Sequence, residues 1–281
     1  MKPVGLIAGA GEFPMTFARK AVASGRPVIC IGLHGMADAS LAGHCTEYYR
    51  LKRLSLSFIM RTLRSRGVSE WTMAGKFHKH MLFRPWMWLR LLPDRQAARF
   101  WLNRRRRDNK DDTLLLGLIE EFRKSGLECV SALDLCPELL VKEGVLTRIA
   151  PTPTQTADIE FGWTLAREMG RLDVGQSVMI RKRAVLAIEA IEGTDLAIRR
   201  AGELCGRNSF VVVKVAKPMQ DMRFDVPTVG PQTIETMQAA GAKVLAIEAG
   251  KTILLDEVRT LALADRHGIC IIALSHGSSI A

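Results

Sequence analysis

The densest group of chemically versatile side chains follows a short apolar run, Phe210–Val213, which is typical of a buried strand. The next seventeen residues, KVAKPMQDMRFDVPTVG, include three cations, two carboxylates and an amide: Lys214, Lys217, Arg223, Asp221, Asp225 and Gln220. Carboxylates can hold a hard divalent cation, and lysine and arginine can neutralise phosphate oxygens. Pro218 and Pro227 stiffen the loop. The pattern predicts a site for a charged ligand, with a salt-bridged surface loop as the alternative.

A second candidate segment, EAIEGTDLAIRRAG, covers residues 189–202. Thr194 suits a helix N-cap, and Asp195 suits the first turn of that helix. The segment is therefore either a capped helix after a strand or a ligand site formed by charged side chains: Glu189 or Glu192, with Arg199 or Arg200. The spacing leaves both interpretations open.

A third candidate is the glycine-containing stretch GLIAGAGEFP near the start of the chain. Gly9 and Gly11 follow a predicted strand and precede a helix, which suits a phosphate or nucleotide that approaches the backbone amides. The third glycine of the dinucleotide fingerprint is absent, because Pro14 stands in its place, and no acidic residue ends the second predicted strand. NAD binding is thus disfavoured, while a nucleotide moiety or a simple tight turn stays open.

Motifs for zinc binding and covalent catalysis are missing from the sequence. The six histidines show no H-E-x-x-H spacing, and there is no P-loop, nucleophile elbow or triad pattern. The six cysteines contain no C-x-x-C pair. We expect them to be reduced and mostly buried in a cytoplasmic protein.

The net charge of +11 is concentrated in one stretch, Lys76–Lys110, which contains eleven Lys or Arg and two Asp. Three of the five tryptophans, Trp86, Trp88 and Trp101, lie in the same stretch. Three interpretations stay open: a solvated charged face, a nucleic-acid surface, or a peripheral contact with an anionic membrane or an amphiphilic substrate.

The composition, 48% apolar and 25% charged residues, is ordinary for a globular protein. No stretch approaches the roughly 18 uninterrupted apolar residues needed to span a bilayer. The first apolar run is too short for a signal peptide. The sequence therefore predicts a soluble or peripheral protein.

The predicted elements place the candidate segments at the ends of strands. In residues 1–133, strands alternate with helices that begin near Pro14, Leu56 and Asp111, a βαβα rhythm that predicts a Rossmann-like parallel sheet. The proline-containing residues 134–154 are predicted as a linker. Residues 155–281 are predicted as a C-terminal α/β domain that carries the charged loop.

Two further predictions concern the C-terminal domain. KVLAIEAGKTILLD is predicted as two strands joined at Ala249-Gly250, and GICIIAL as the last strand. The predicted fold class is therefore α/β with two domains.

Several of these segments, in order, resemble the metal-dependent UDP-2,3-diacylglucosamine pyrophosphatases of lipid A biosynthesis, a family first described as a domain of unknown function. The resemblance covers nearly the whole chain. Its motifs are GLIAGAGEFP, KDDTLL, ADIEFGWTLAREMGRLDVGQSV, AIEAIEGTDLAIRRAGEL, KVAKPMQDMRFDVPTVGPQTI and AIEAGKTILLD. Several long motifs in one order are far more specific than any single one.

The resemblance implies hydrolysis of UDP-2,3-diacylglucosamine to UMP and 2,3-diacylglucosamine 1-phosphate, with water attacking the phosphorus on the sugar side. It also implies Mg²⁺ or another divalent cation such as Mn²⁺, two domains with the substrate between them, and a homodimer. We expect a cytoplasmic protein that contacts the anionic inner-membrane surface and binds no nucleic acid. The alternatives are a Rossmann-type nucleotide-binding protein or oxidoreductase, and a basic nucleic-acid-binding or membrane-binding protein without this activity.

Matching the motifs assigns expected roles to individual residues. The expected catalytic residues are Asp225, Gln220 and Arg223. Asp225 is also expected to hold the metal ion or the attacking water, and we hypothesise that Asp221 or Glu192 is the second carboxylate at the metal. The expected substrate-binding residues, which include those found by spacing alone, are Gly9, Gly11, Asp111, Asp112, Thr194, Asp195, Lys214 and Lys217. The chain departs from the family pattern in AGKFHKHMLF, which lacks a proline, and at Lys110, where the family has glycine.

Overall fold

The computed structural model describes residues 1–51, 55–75, 111–134, 136–206, 208–218, 221–223 and 226–275, with only the backbone described at 111–114. The chain divides into two compact units, Met1–Pro137 and Glu138–Ala281. Each unit is built on one main sheet with helices packed against it. The predicted α/β fold with two domains is confirmed.

The sheet of the first unit is entirely parallel among the described strands. These are β1 (Val4–Ala8), β2 (Val28–Leu33), β3 (Glu47–Leu51), β4 (Glu70–Ala74) and β5 (Glu128–Cys129). Their spatial order is β3-β2-β1-β4-β5. This is the doubly wound order of Rossmann-type sheets, in which the direction of winding reverses between β1 and β4. The predicted Rossmann-like sheet is therefore confirmed.

Three described helices accompany this sheet: α1 (Phe13–Ala23), α2 (Leu56–Ser65) and α3 (Asp111–Lys124). Pro14 lies in the first turn of α1, as predicted, and the Ser55 hydroxyl accepts a hydrogen bond from the first turn of α2. The core includes the fully buried Trp71 and Phe122, whose ring centroids are 4.4 Å apart. Apolar packing between α3 and β4 thus fixes one face of the sheet.

Two strands of this unit differ from the sequence-based prediction. The sequence analysis did not predict β3, an edge strand whose residues before Leu51 are exposed or half-buried, so its apolar pattern is weak. The run LECVSA at 127–132, whose composition is typical of a longer strand, contains only the two-residue β5, because the chain then turns into a 3₁₀ helix at Ala132–Asp134.

The sheet of the second unit is mixed. Its strands are β6 (Gly144–Val145), β7 (Ser177–Arg181), β8 (Ala184–Ile188), β9 (Phe210–Lys214), β11 (Ala242–Glu248) and β13 (Cys270–Leu274). They lie in the order β6-β13-β11-β9-β7-β8. The central strands β9, β11 and β13 are parallel, and β6, β7 and β8 are antiparallel to their neighbours. A separate two-stranded parallel sheet joins β10 (Thr228–Val229) and β12 (Ile253–Leu254).

Helices cover both faces of the mixed sheet. They are α4 (Pro153–Arg171), α5 (Thr194–Leu204), α6 (Pro231–Ala240) and α7 (Glu257–His267). Alternate strand residues enter different apolar layers: Val211 and Val213 pack with α4, and Val212 packs with α5, α6 and α7. This explains the uninterrupted valine run of β9, because strands covered on both faces need no polar alternation.

None of the described helices is long and apolar enough to cross a membrane.

The boundary between the units differs from the predicted linker at 134–154. The second unit begins at Glu138. Within it, β6 pairs with β13, the backbone N–H of Arg148 donates to Asp265 Oδ1 at 2.8 Å, and Thr152 begins α4 with a capping box. Backbone pairing and capping therefore place these residues in the second unit.

The two strands predicted in KVLAIEAGKTILLD are present, but β12 pairs with β10 rather than with β11.

Candidate active site

A row of polar side chains lies at the edge of the mixed sheet where β9 ends. Lys214, the last residue of β9, is opposite Ser177 of β7. The backbone N–H of Glu189, just after β8, donates to Ser177 O at 2.9 Å. Residues opposite each other on neighbouring strands project to the same face. The three side chains therefore lie side by side, and both charged ones are nearly buried, with Lys214 at 7% and Glu189 at 8% exposure.

Helix α5 adds a hydroxyl group to this row. Thr194 was expected to be the N-cap, but Gly193 holds that position with φ +84°, and Thr194 is the first helical residue. The hydroxyl of Thr194 donates to Glu189 Oε1 at 3.0 Å, and Lys214 Nζ donates to Thr194 Oγ1 at 3.2 Å. Ser177 Oγ lies 3.4 Å from the same oxygen. We refer to Ser177, Glu189, Thr194 and Lys214 as the Lys214 cluster.

A glycine allows the close approach on which this cluster depends. A Cβ atom on Gly175 would lie 1.9 Å from the backbone oxygen of Glu189. No side chain fits there, so Gly175 lets the turn before β7 pack directly against the residue that carries the buried carboxylate. The sequence analysis did not single out Gly175. Its position in LDVGQSV, just before a strand, was the available signal.

Glu189, rather than Glu192, is the carboxylate of the Lys214 cluster. Glu192 Oε1 accepts from Arg200 at 2.7 Å, and Glu192 Oε2 accepts from the backbone N–H of Ala190 at 3.1 Å. Arg200 also donates to Ile188 O at 2.7 Å. These contacts close the turn between β8 and α5. Asp195 lies in the first turn of α5, where a carboxylate complements the helix dipole.

The loop that follows β9 is fixed at its start. The backbone N–H groups of Val215 and Ala216 donate to Gln176 O at 3.0 Å and to Glu248 Oε2 at 2.9 Å. Glu248 is 2% exposed and also pairs with Lys251 at 2.8 Å. Because β11 is parallel to β9, the end of β11 brings this carboxylate to the same sheet edge as Lys214.

The far end of the loop is fixed by the small sheet. Ile253 donates its N–H to Pro227 O at 2.8 Å, and Leu255 donates to Val229 O at 2.9 Å. Lys214 Nζ donates to Thr228 O at 3.2 Å, so the lysine connects the two ends of its own loop. Lys217 pairs with Asp173 at 2.6 Å, in the turn between α4 and β7.

Asp221 and Arg223 form an ion pair inside the loop. Arg223 Nη2 lies 2.6 Å from Asp221 Oδ2, and the Nε and backbone N–H of Arg223 donate to Asp221 Oδ1 at 2.9 and 3.0 Å. The Arg223 guanidinium therefore holds the pKa of the Asp221 carboxyl below its usual range. The other two expected catalytic residues, Gln220 and Asp225, lie outside the described residues.

The expected divalent cation can be tested against the carboxylates that the structure describes. Across those parts of the chain, no group of three His, Cys, Asp or Glu is placed to hold a metal ion. Both carboxylate oxygens of Asp221 and of Glu192 accept hydrogen bonds. Glu189 Oε2, in contrast, is buried without a hydrogen-bond partner among the residues that the structure describes. One oxygen at the Lys214 cluster thus fits a cation, and it belongs to a residue outside the expected ligand set.

The first unit presents a different arrangement at the point where its winding reverses. Gly9 follows β1 and donates its N–H to Ala74 O at 2.9 Å. Gly75 follows β4 with φ +95°, and a Cβ atom there would lie 2.7 Å from Ala10 O. Gly11 has φ +97°, and no described atom lies within 4 Å of the place where a Cβ atom would stand. The crevice at such a switch point is where doubly wound sheets bind ligands. The expected residues Asp111 and Asp112 begin α3, and their side chains lie outside the described part.

Fold and site together define a class of protein: a two-unit α/β protein with a glycine-lined switch point in one unit and a buried Lys–Thr–Glu cluster in the other. Comparison with known proteins makes the assignment specific. The family model described as the LpxI N-terminal domain matches residues 3–139, and the one described as the LpxI C-terminal domain matches residues 142–272. The chain belongs to the LpxI family.

A relative from Caulobacter vibrioides supports the same assignment. The protein described as UDP-2,3-diacylglucosamine pyrophosphatase LpxI is 32% identical over 282 residues, which cover 98% of each chain. The family resemblance expected from the sequence is confirmed. These matches do not favour the alternative of a Rossmann-type oxidoreductase or of a basic binding protein.

Proposed function

We propose that this protein hydrolyses UDP-2,3-diacylglucosamine to UMP and 2,3-diacylglucosamine 1-phosphate. The observation that carries the proposal is the 32% identity, over 98% of each chain, to a protein described as that pyrophosphatase. The Lys214 cluster supports the proposal independently, because a buried ammonium group at the end of a parallel strand suits an anionic diphosphate. The turn at Gly11 suits the nucleotide moiety, because no described atom lies within 4 Å of the place where a Cβ atom of this residue would stand, so a ligand could approach the backbone there.

The reaction breaks one phosphorus–oxygen bond of the anhydride and forms one to the oxygen of water. We propose attack at the phosphorus on the sugar side, as the family resemblance implies. Negative charge builds up on the phosphoryl oxygens and on the departing UMP. Fixed cations stabilise such charge best when they need not reorganise during the reaction. Lys214 fits this role, since Thr194 Oγ1 and Thr228 O hold its ammonium group.

We also propose a requirement for Mg²⁺ or a similar divalent cation. Such an ion would neutralise diphosphate charge when bound. Glu189 Oε2 is one described oxygen that could contact it. Asp221 could serve as a ligand only after exchanging its hydrogen bonds from Arg223. Asp225 keeps its expected role as a ligand of the ion or of the attacking water.

Peripheral membrane contact and a homodimer are further parts of the proposal. The substrate carries two acyl chains, and the basic stretch 76–110, which lies outside the described residues, suits an anionic surface. Ile191, in the turn between β8 and α5, is fully exposed, and Leu196, in the first turn of α5, is half exposed; both are close in sequence to Glu189 and Thr194 of the Lys214 cluster. Flotation with anionic vesicles tests the membrane contact, and light scattering during gel filtration tests the dimer.

The hydrolysis itself is tested with purified protein, UDP-2,3-diacylglucosamine and oxygen-18 water. We expect UMP release with Mg²⁺ and its loss with EDTA, with the label in the sugar phosphate. Label in UMP would contradict attack on the sugar side, and equal activity in EDTA would contradict the metal requirement. No UMP under any of these conditions would overturn the proposed function.

A further inference from the structure

The Thr194 hydroxyl group occupies the centre of the Lys214 cluster. A hydroxyl has one O–H to donate and two lone pairs that accept. Its proton goes to Glu189 Oε1 at 3.0 Å, and its oxygen accepts from Lys214 Nζ at 3.2 Å. Ser177 Oγ, at 3.4 Å, occupies the remaining lone pair. All hydrogen-bonding capacity of this hydroxyl is therefore used inside the cluster.

The carboxylate sets the direction of these hydrogen bonds. Lys214 has donors only, and an ionised glutamate has acceptors only. Thr194 must therefore donate towards Glu189 and accept from Lys214, and it cannot rotate its proton elsewhere without losing a charged partner. Hydrogen bonds to charged groups are stronger than those between neutral groups. The chain from Glu189 through Thr194 to Lys214 thus has one stable orientation.

The hydrogen bonds from Glu189 through Thr194 to Lys214 join two buried charged side chains. Glu189 and Lys214 are 8% and 7% exposed, and no direct ion pair between them is present in the described structure. Within the described part of the chain, Glu189 Oε2 has no hydrogen-bond partner. A buried carboxylate with an unsatisfied oxygen is unfavourable for stability alone, which indicates a role in the site.

We propose that Glu189 is a positioning residue for the hydrolysis, which acts through the Thr194 hydroxyl to hold the Lys214 ammonium group where the diphosphate binds. This inference rests on the proposed function. It assigns Thr194 an intermediate role between two charged groups, whereas the family resemblance implied only substrate binding. It also assigns a role to Glu189, for which the sequence left two interpretations open.

Substitutions at Thr194 separate the hydroxyl from the shape of the side chain. Thr194→Val keeps the β-branched shape but removes the hydroxyl, and Thr194→Ser keeps the hydroxyl. We expect Thr194→Val to lower kcat about 100-fold, because a misplaced catalytic group can cost that much. Thr194→Ser should stay within about threefold of the wild type, since the relay of hydrogen bonds is retained.

Glu189→Gln tests the negative charge at the start of this series of hydrogen bonds. The amide is close in shape but neutral, and it can donate as well as accept, so it no longer sets the direction of the hydrogen bonds. We expect kcat to fall about 10- to 100-fold, with KM changed much less. Glu203→Gln, an exposed carboxylate on the same helix α5, is the matched control and should behave as the wild type.

The double variant Glu189→Gln/Thr194→Val tests whether the two residues act as one unit. If they do, the double variant should be no slower than Thr194→Val alone, because Thr194→Val has already removed the hydrogen bonds that link Glu189 to Lys214. kcat and KM would be measured as UMP release with Mg²⁺, and thermal melting would confirm that each variant is folded.

Three results would overturn the inference alone: wild-type kcat in Thr194→Val, wild-type kcat in a folded Glu189→Gln, or losses that multiply in the double variant. If Glu189→Gln does not fold, the Val and Ser pair at Thr194 still tests the hydrogen bond between Thr194 and Lys214 through which Glu189 would act, and wild-type kcat in Thr194→Val would overturn the inference. Absence of UMP release by the wild type would instead overturn the proposed function, and this inference with it.

Discussion

The two units present candidate ligand sites at the same topological place by different means. In both, the site lies where parallel strands end, β1 and β4 in one unit and β9 and β11 in the other. The first unit uses turns of glycine, with Gly11 and Gly75 at positive φ. The second uses buried charged side chains joined by a hydroxyl. Backbone conformation shapes the first site, and hydrogen-bond direction shapes the second.

This difference predicts which kind of substitution should damage each site. A glycine turn depends on space and on a backbone that other residues rarely adopt, so an added Cβ should reduce stability. A buried cluster depends on donors and acceptors, so removal of one charged group should impair the chemistry and also leave a buried partner unsatisfied, at a cost of about 1–3 kcal/mol in stability.

The largest effect is expected for Lys214→Met. Methionine keeps an unbranched chain of similar length but removes the donors to Thr194 and Thr228. If Lys214 stabilises charge on the diphosphate, kcat/KM should fall by about 10²- to 10³-fold, as for the loss of one fixed donor to a transition-state anion. The measurement is UMP release from UDP-2,3-diacylglucosamine, with thermal melting to confirm the fold.

Lys243→Met is the matched control for that substitution. Lys243 lies on β11 near its start, so it is at the opposite edge of the same sheet, where it donates to His267 O at 3.0 Å. Its loss should leave kcat/KM unchanged. Near-wild-type activity in Lys214→Met, or equal losses in both variants, would contradict the assignment of the site to the edge of the sheet where β9 ends.

A stability effect is expected for Gly75→Ala in the first unit. Alanine at φ +95° is strained by about 1–2 kcal/mol. Its Cβ would also lie 2.7 Å from Ala10 O and 2.9 Å from Gly9 C, which are backbone atoms that cannot move aside cheaply. Gly25→Ala, at φ +79° with no atom of the described residues within 4 Å of the added Cβ, incurs the backbone strain alone. We expect Gly75→Ala to lose at least about 1 kcal/mol more, by the cost of overpacking.

Denaturant unfolding of the two glycine variants measures that difference. Equal destabilisation would show that the turns after β1 and β4 do not pack as tightly as described, and would weaken the switch-point site. A larger loss for Gly75→Ala would support a rigid pair of turns, which is what a backbone site for a nucleotide requires.

Much of the fold could be predicted from the sequence because its signals are local. The apolar runs of β1, β2, β9 and β13 end at glycine, proline or charged residues, and Gly67 and Gly126 mark the ends of α2 and α3. The edge strand β3 could not be predicted, since its pairing with β2 rather than its own pattern makes it a strand. The partner of β12 was likewise unpredictable, because β10 lies more than twenty residues away in sequence.

The candidate site was predictable only as a set of residue types. Lys214 and Thr194 were expected from spacing and resemblance, and the structure brings them together. The choice between Glu189 and Glu192 required the register of β7, β8 and β9, which is a long-range property that no local pattern contains. Gly175 was missed for the same reason, since its role depends on the backbone of Glu189 across the turn.

The smallest effect is expected on stability, from the ion pair between Asp221 and Arg223 in the second unit. Its contribution should depend on pH, whereas the effects of the glycine substitutions in the first unit should not. The folded-state pKa of Asp221 is lowered by its hydrogen bonds from Arg223. A lowered pKa contributes stability that is present above the unfolded value of about 3.9 and is lost as pH falls through the folded value. Wild type should therefore exceed Asp221→Asn in stability at pH 6, and the difference should shrink towards pH 3.

The glycine variants provide the reference for this comparison, because neither Gly75→Ala nor Gly25→Ala removes a titrating group. Their difference in unfolding free energy should be the same at pH 6 and pH 3, while that between wild type and Asp221→Asn should not. If both differences change with pH, acid acts on the whole chain rather than on the loop. If neither changes, the ion pair contributes nothing measurable to folding, and Asp221 is then available to exchange Arg223 for a cation at little cost.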